Sequence, residues 1–343
     1  MTSRSKMRLK TAAMTGALAL ALTACSRTDL PQDSLNPAGR YSTKINNLFW
    51  PVFWIAVGVF VLVEGLLVFA LIRYRHRRGG PQPVQVHGNR RLEIGWTLAP
   101  AVLLAGVAFF TVPVIFSLAA QPAEALQITV TGHQWWWEVQ YPGLNVVTAN
   151  EVHIPVGQTV YVSLKSVDVI HSFWVPRLAG KQDLEPGNTT HLKIQANQAG
   201  TYEGQCAEYC GVSHANMRLK VFAQGQSDFQ AWLAHEAQPA GVPAPGSLAA
   251  QGEQLFNNGQ FLNGLRCTAC HTTDPKQSGT VGPNLAHFGS RTSFAGATFP
   301  NRDGPLARWL ENPLAQKPGV DMPYLGLSQD QIKALVAYLE SLQ

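Results

Sequence analysis

Sulfur is scarce in this sequence: it has five cysteines and five methionines among 343 residues, and no stretch repeats another. Five cysteines are too few and too oddly placed for a disulfide scaffold. Cys25 stands alone, and the other four form two close pairs, Cys206 with Cys210 and Cys267 with Cys270, each with a histidine nearby. That is cofactor spacing. Acidic residues are nearly missing from the first 120 positions, which hold 4 Asp+Glu against 13 Lys+Arg, leaving 17 against 13 for the rest. The formal charge of +5 therefore belongs to the N-terminal third. The remainder is mildly acidic, which removes the main support for a nucleic-acid partner.

What is present begins with an export signal. Arg4, Lys6, Arg8 and Lys10 precede "TAAMTGALALALTAC", an apolar run too short to span a bilayer. Residues 1–24 are expected to be a removed signal peptide. "LTAC" resembles the lipobox of bacterial lipoproteins, which implies lipidation at Cys25. Residues 25–120 then carry two apolar runs, 48–72 and 95–120, each long enough for a membrane helix. Arg73, Arg75, Arg77, Arg78, Arg90 and Arg91 lie between them, so the connecting loop is expected on the cytoplasmic side and both termini outside. Glu64, inside the first span, is costly against lipid and predicts a protein neighbour in the membrane.

From 121 to 235 the pattern changes to short β-rich runs, among them "LQITVTG", "TVYVSLKS", "THLKIQA" and "MRLKVFA", separated by Gly, Pro and Asn turns. This predicts a small all-β sandwich or barrel. Residues 236–247 are rich in Pro, Ala and Gly and read as a semi-extended linker. The last unit, 248–343, opens with a helical pattern and closes with "LSQDQIKALVAYLESLQ", whose Ile332, Leu335, Val336 and Leu339 recur at helical spacing.

Two motifs carry chemistry. "CTACH" has the spacing for covalent c-type haem: Cys267 and Cys270 form thioethers and His271 reaches the iron from one face. If the second axial ligand is methionine it must be Met322, since no other methionine lies in this unit. "GQCAEYCGVSHANM" gathers Cys206, Cys210, His214 and Met217 on one loop. A single blue-copper centre needs only one of these cysteines, zinc has no use for Met217, and a disulfide explains neither His214 nor Met217. Two thiolates three residues apart suit a pair of bridged copper ions. The pair still needs a second histidine; residue count leaves His133, His153, His171 and His191 as rivals.

The two spans and the β unit, roughly residues 40–232, resemble cytochrome c oxidase subunit II, and "CAEYCGVSHANM" resembles that family's binuclear copper-A loop. The resemblance implies a cupredoxin fold and a copper pair bridged by Cys206 and Cys210. His214 and Met217 become terminal ligands, and the match of "DVIHSFWVP" selects His171 as the other histidine. It further implies that Glu208 coordinates through its carbonyl and that its carboxylate reaches a magnesium ion shared with the large subunit. "GHQWWWEVQY" places Trp135 at the surface where electrons enter, with Trp136 and Trp137 fitting core positions equally well. "LEIGWTLAP" places Glu93 at the mouth of a proton-uptake path. Residues 248–343 resemble a class I cytochrome c, in which the loop "VGPNL" with Pro283 supports the proximal histidine.

The fold expected is thus a multidomain membrane protein: a two-helix transmembrane hairpin, an all-β cupredoxin sandwich and an all-α cytochrome c domain. Both centres are closed by protein ligands, which suits passing electrons and not binding substrate. A subunit II fused to cytochrome c is characteristic of caa-type haem-copper oxidases. The resemblance therefore implies the large subunit I and other oxidase subunits as partners, in a bacterial inner membrane, with oxygen reduced and protons pumped elsewhere in the complex. The donor is expected to be a cytochrome c or a quinol-oxidising complex. Two other readings are a copper-A subunit of a nitric oxide reductase and a stand-alone membrane-anchored electron carrier.

Overall fold

The computed structural model describes residues 30–75, 85, 88–122, 124–279, 281–302 and 304–343. The signal segment, Cys25, Arg77 and Arg78 lie outside the described residues.

Two long helices come first, α1 (Arg40–Arg73) and α2 (Arg90–Ala119). At 1.5 Å per residue, a helix of 34 residues is about 50 Å long, more than the roughly 30 Å of a bilayer core. The surplus is rooted on the β domain. Gly39, at the start of α1, lies so close to the main chain that a Cβ would sit 2.1 Å from the Gln195 carbonyl. Ser42 Oγ donates to the Arg177 carbonyl (2.7 Å), and Tyr41 is buried beside Thr159. Asn89 caps α2 by accepting from the amides of Arg91 and Leu92. At the far end Lys193 Nζ donates to the carbonyls of Ser117 and Ala120, placing a cation where the helix dipole favours one. Neither apolar span buries any of its own length within this chain.

The β domain is a sandwich of two mixed five-stranded sheets. One runs β3 (Val146–Ala149), β2 (Trp136–Tyr141), β1 (Leu126–His133), β5 (Val160–Ser166), β8 (Thr190–Ile194). The other runs β4 (Glu151–Pro155), β10 (Arg218–Gln224), β9 (Gly200–Cys206), β6 (His171–Trp174), β7 (Gln182–Leu184). Period-two alternation sends Ile128 and Val130 of β1, and Leu219, Val221 and Ala223 of β10, into one core with Trp137, Phe173 and Leu184. The register matters for the site: Phe173 of β6 faces Cys206 of β9, which puts the histidine-bearing strand beside the first cysteine. A helix, α3 (Gln226–Glu236), packs Phe229 and Leu233 onto the sandwich. The sequence pattern names no helix here; the chain stays helical through Glu236, the first residue of the expected linker, up to its cap at Ala237.

The C-terminal unit contains α4 (Leu248–Asn258), a short hairpin of β11 (Ser293–Phe294) and β12 (Phe299–Pro300), then α5 (Pro305–Glu311), α6 (Pro313–Gln316) and α7 (Gln329–Ser341). Ser247 and Ser328 cap α4 and α7. These two helices cross at Gly252, where any side chain would run into the Ala334 carbonyl at 2.0 Å. Ile332, Leu335 and Leu339 of α7 are buried against Phe256 of α4, with Val336 half-buried.

The C-terminal unit is seated on the sandwich. Glu151, buried on the sandwich side, accepts at one oxygen from the amides and hydroxyls of both Thr292 and Ser293 (2.7–3.2 Å). Lys317, buried on the side of the C-terminal unit, donates to the carbonyls of Trp135 (2.7 Å) and Ala295 (2.9 Å). The Arg218 amide donates to Gly296, and Ser213 Oγ donates to Pro318.

Candidate metal centres

The first centre lies between β6 and the loop that joins β9 to β10. Cys206 ends β9, and the chain turns through Gly211 (φ 115°) and a single 3-10 turn, His214–Asn216, before Met217 leads into β10. Cysteine residues 206 and 210 bring their sulfurs to 3.7 Å, nearly twice a disulfide length, and both side chains are buried. His171 Nδ1 lies 3.9 Å from Cys206 Sγ, His214 Nδ1 3.5 Å and Met217 Sδ 3.8 Å from Cys210 Sγ, and the Glu208 carbonyl 3.2 Å from Cys206 Sγ. All six groups singled out in the sequence therefore converge. Two thiols, two imidazoles, a thioether and a carbonyl form a soft donor set that fits copper; zinc would leave the thioether idle. The hydrogen bond between the two sulfurs, helped by His171, holds the Cys206 thiol down at about 4 and pushes that of Cys210 up, so the metal-free pair keeps one proton between them.

The rivals of His171 are used elsewhere. His133 stacks on Trp136, His153 is sandwiched between Trp232 and Phe222, and His191 stacks on Tyr161. His171 faces the sulfurs: its Nε2 meets Asp168 Oδ1 at 2.7 Å, which leaves Nδ1 toward Cys206 Sγ. Sequence reasoning missed Asp168. Its signal was the three-residue spacing to His171 in the same segment. Gly132 is required beside it, since a Cβ there would press to 2.8 Å on the imidazole.

The second centre is a cavity in the C-terminal unit lined by Cys267, Cys270, His271 and Met322. Its walls include Phe256, Leu335 and the indole of Trp309, which also donates to Met322 Sδ (3.2 Å). His271 Nδ1 donates to the Pro283 carbonyl (2.8 Å), which leaves Nε2 to bind a metal. Gly282 has no room for a side chain, as a Cβ would lie 2.4 Å from the same ring. Two thiols, one oriented imidazole and one thioether around an apolar cavity fit a covalently bound haem.

Three protein families match the chain in succession: the transmembrane domain of cytochrome c oxidase subunit II over residues 32–114, the periplasmic domain of the same subunit over 144–223, and cytochrome c over 249–343. The cytochrome c oxidase subunit 2 of Alkalihalophilus pseudofirmus is 37% identical over 321 residues, covering 90% of each chain. The chain belongs to the cytochrome c oxidase subunit II family. That of Bacillus subtilis is 34% identical over 94% of this chain and 95% of its own. A solved periplasmic domain of subunit II from Bradyrhizobium japonicum is 29% identical and covers 33% of this chain and 94% of its own, with a TM-score of 0.32.

The other residues that the subunit II resemblance singled out are placed as follows. Trp135 is buried, at 7% exposure, together with Trp136 and Trp137, because the cytochrome unit covers it. Its Nε1 donates to the Cys210 carbonyl (3.0 Å), and the residue is among those that line the cavity. Trp135 thus lies in the seam between the sandwich and the cytochrome unit. The Glu208 carboxylate is half-exposed and faces Lys181 at 3.9 Å. Glu93 lies exposed in the first turn of α2, and Glu64 is exposed on α1.

Proposed function

We propose that the chain is the subunit of a haem-copper oxidase that accepts electrons from an outside donor and delivers them to the large subunit I, where oxygen is reduced and protons are pumped. When bound, a haem c and a binuclear copper pair supply the reversible one-electron chemistry. His171, Cys206, Glu208 through its carbonyl, Cys210, His214 and Met217 would hold the coppers. Cys267, Cys270, His271 and Met322 would hold the haem.

One observation carries this reading: Trp135 borders the haem cavity and is bonded to the main chain of a copper ligand through its Nε1. Lys317 fixes that residue's carbonyl from the cytochrome side, and Gln134 Nε2 donates to the same Cys210 carbonyl (2.6 Å). The side chains of this seam exclude water and hold the two centres in one fixed relation. A tethered carrier that docks and leaves would have no use for such buried partners as Glu151 and Lys317.

The bare spans are read as the surface that meets subunit I, with Glu64 facing it and Glu93 at the proton-uptake mouth. The Glu208 carboxylate is read as a contribution to a magnesium site completed by that subunit. Cys25 is assigned to lipid anchoring, and the sandwich and cytochrome unit to the periplasmic side of the inner membrane.

The test uses the intact oxidase in mild detergent, reduced by rapid mixing. Trp135→Phe keeps the packing but removes the bond to Cys210. It is expected to slow reduction of the coppers several-fold while reduction of the haem stays unchanged. Equal rates for both would remove Trp135 from the route. A complex that reduces nitric oxide and not oxygen would overturn the assignment as a whole.

A further inference from the structure

A third cluster of metal-ligating side chains lies where the sandwich hands over to the cytochrome unit. His235 and Glu236 close α3, and His287 comes from the cytochrome unit, just before the 3-10 turn Phe288–Ser290. One ligand atom from each lies within 4.8 Å of the other two. The two imidazole centroids are 4.6 Å apart, and His235 Nδ1 is 3.7 Å from Glu236 Oε1. None of the three is on the copper loop or lines the haem cavity.

His287 is oriented as metal-binding histidines are. Its Nε2 donates to the Gln238 carbonyl (2.8 Å), so Nδ1 carries the lone pair. The residue is 1% exposed, and Nδ1 has no hydrogen-bond partner among the described residues. Leaving such an acceptor buried and unsatisfied is costly, and a metal ion would relieve it. Glu236 is also buried, and burial lifts its carboxyl to about 7 against the pull of Arg291 and His235. His235 is exposed, which leaves one side open to water.

We propose that His235, Glu236 and His287 bind a divalent zinc ion that pins the end of α3 to the cytochrome unit. Two imidazoles and one carboxylate are a donor set that zinc accepts, with water in the fourth position, and that magnesium or calcium disfavour. The residues come from two units, so the ion would clamp the linker that begins at residue 237. It would stabilise the seated arrangement by its binding free energy, as any ligand specific to one state does. The site is separate from electron transfer, so its failure would leave the proposed function untouched.

The experiment uses the purified oxidase complex, equilibrated with micromolar zinc and then dialysed against metal-free buffer, with zinc, copper and iron counted by mass spectrometry. About one zinc per chain is expected in the wild type beyond what His235→Gln and His287→Gln retain. Copper and haem should be unchanged in all three. Cleavage in the linker by a protease is expected to be faster in both variants and in the zinc-free wild type. His235 is exposed, so its variant tests the site even if His287→Gln fails to assemble. Equal zinc in the wild type and His235→Gln, or none in the wild type, would overturn the proposal, as would linker cleavage indifferent to zinc.

Discussion

The two metal centres are prepared in opposite ways. In the sandwich, each ligand atom lies within 4 Å of one of the two cysteine sulfurs, held between β6 and the loop from β9 to β10, with His171, Cys206, Cys210 and Met217 buried. In the cytochrome unit the ligands surround an apolar cavity, and its walls come from α4, α5, α7 and the loops between them. The first site is a tight cluster of donors, and the second is a roomy apolar pocket with its ligands on the wall. The difference follows from the cofactors. Small metal ions need only a tight donor set, whereas a porphyrin would contribute hydrophobic surface of its own.

The comparison can be broken in steps. Cys210→Ser removes a bridging thiolate and is expected to leave one copper or none, lower oxygen uptake by roughly two orders of magnitude or more, and spare the haem spectrum. Metal analysis beside haem absorbance checks this, and loss of haem together with copper would show that the sites do not assemble independently. Met322→Ala is expected to keep the covalent haem, lower its potential by on the order of a hundred millivolts and admit carbon monoxide at the vacated position. A redox titration with copper content unchanged is the measurement.

Asp168→Asn tests the pre-set shape of the copper site without touching a ligand. The amide still reaches His171 but no longer supports it as a carboxylate does, so copper affinity is expected to drop about 10–100-fold in competition with a chelator. The smallest effect concerns the surrounding sandwich. Burial between Trp232 and Phe222 holds His153 down at about 4, against 6.5 for a free histidine. A depressed folded value means the contribution is full above pH 6.5 and is lost as pH falls through about 4. On acidification across that window the sandwich should lose about 2–3 kcal/mol from this residue. His153→Phe should remove that share of the acid sensitivity, read from unfolding midpoints at pH 7 and pH 4.

Much of this was legible in the sequence. Cys206, Cys210, His214 and Met217 are separated by three, three and two residues, and one loop can bring them together with no help from elsewhere. The haem motif is local in the same sense. The β-rich runs and the α7 pattern read correctly because alternation and helical spacing reflect one buried face each. Asp168 stayed hidden because a carboxylate three residues before a histidine has many ordinary uses. Glu151 and Lys317 could not be found at all. Their partners lie 141 and 182 residues away, and nothing in their neighbourhoods marks them for burial.

Trp135 shows where the two kinds of information part. The sequence by itself determined the ligand types, the order of the three units and the presence of an aromatic cluster ahead of the copper loop, because each is written in short-range spacing and composition. Only the tertiary structure decided that Asp168 backs His171, which the family resemblance had already selected, and that Trp135 is covered by the cytochrome unit. The first is one choice among many ordinary uses of a carboxylate, and the second depends on the seating of one unit upon another, which arises from packing between segments far apart in the chain.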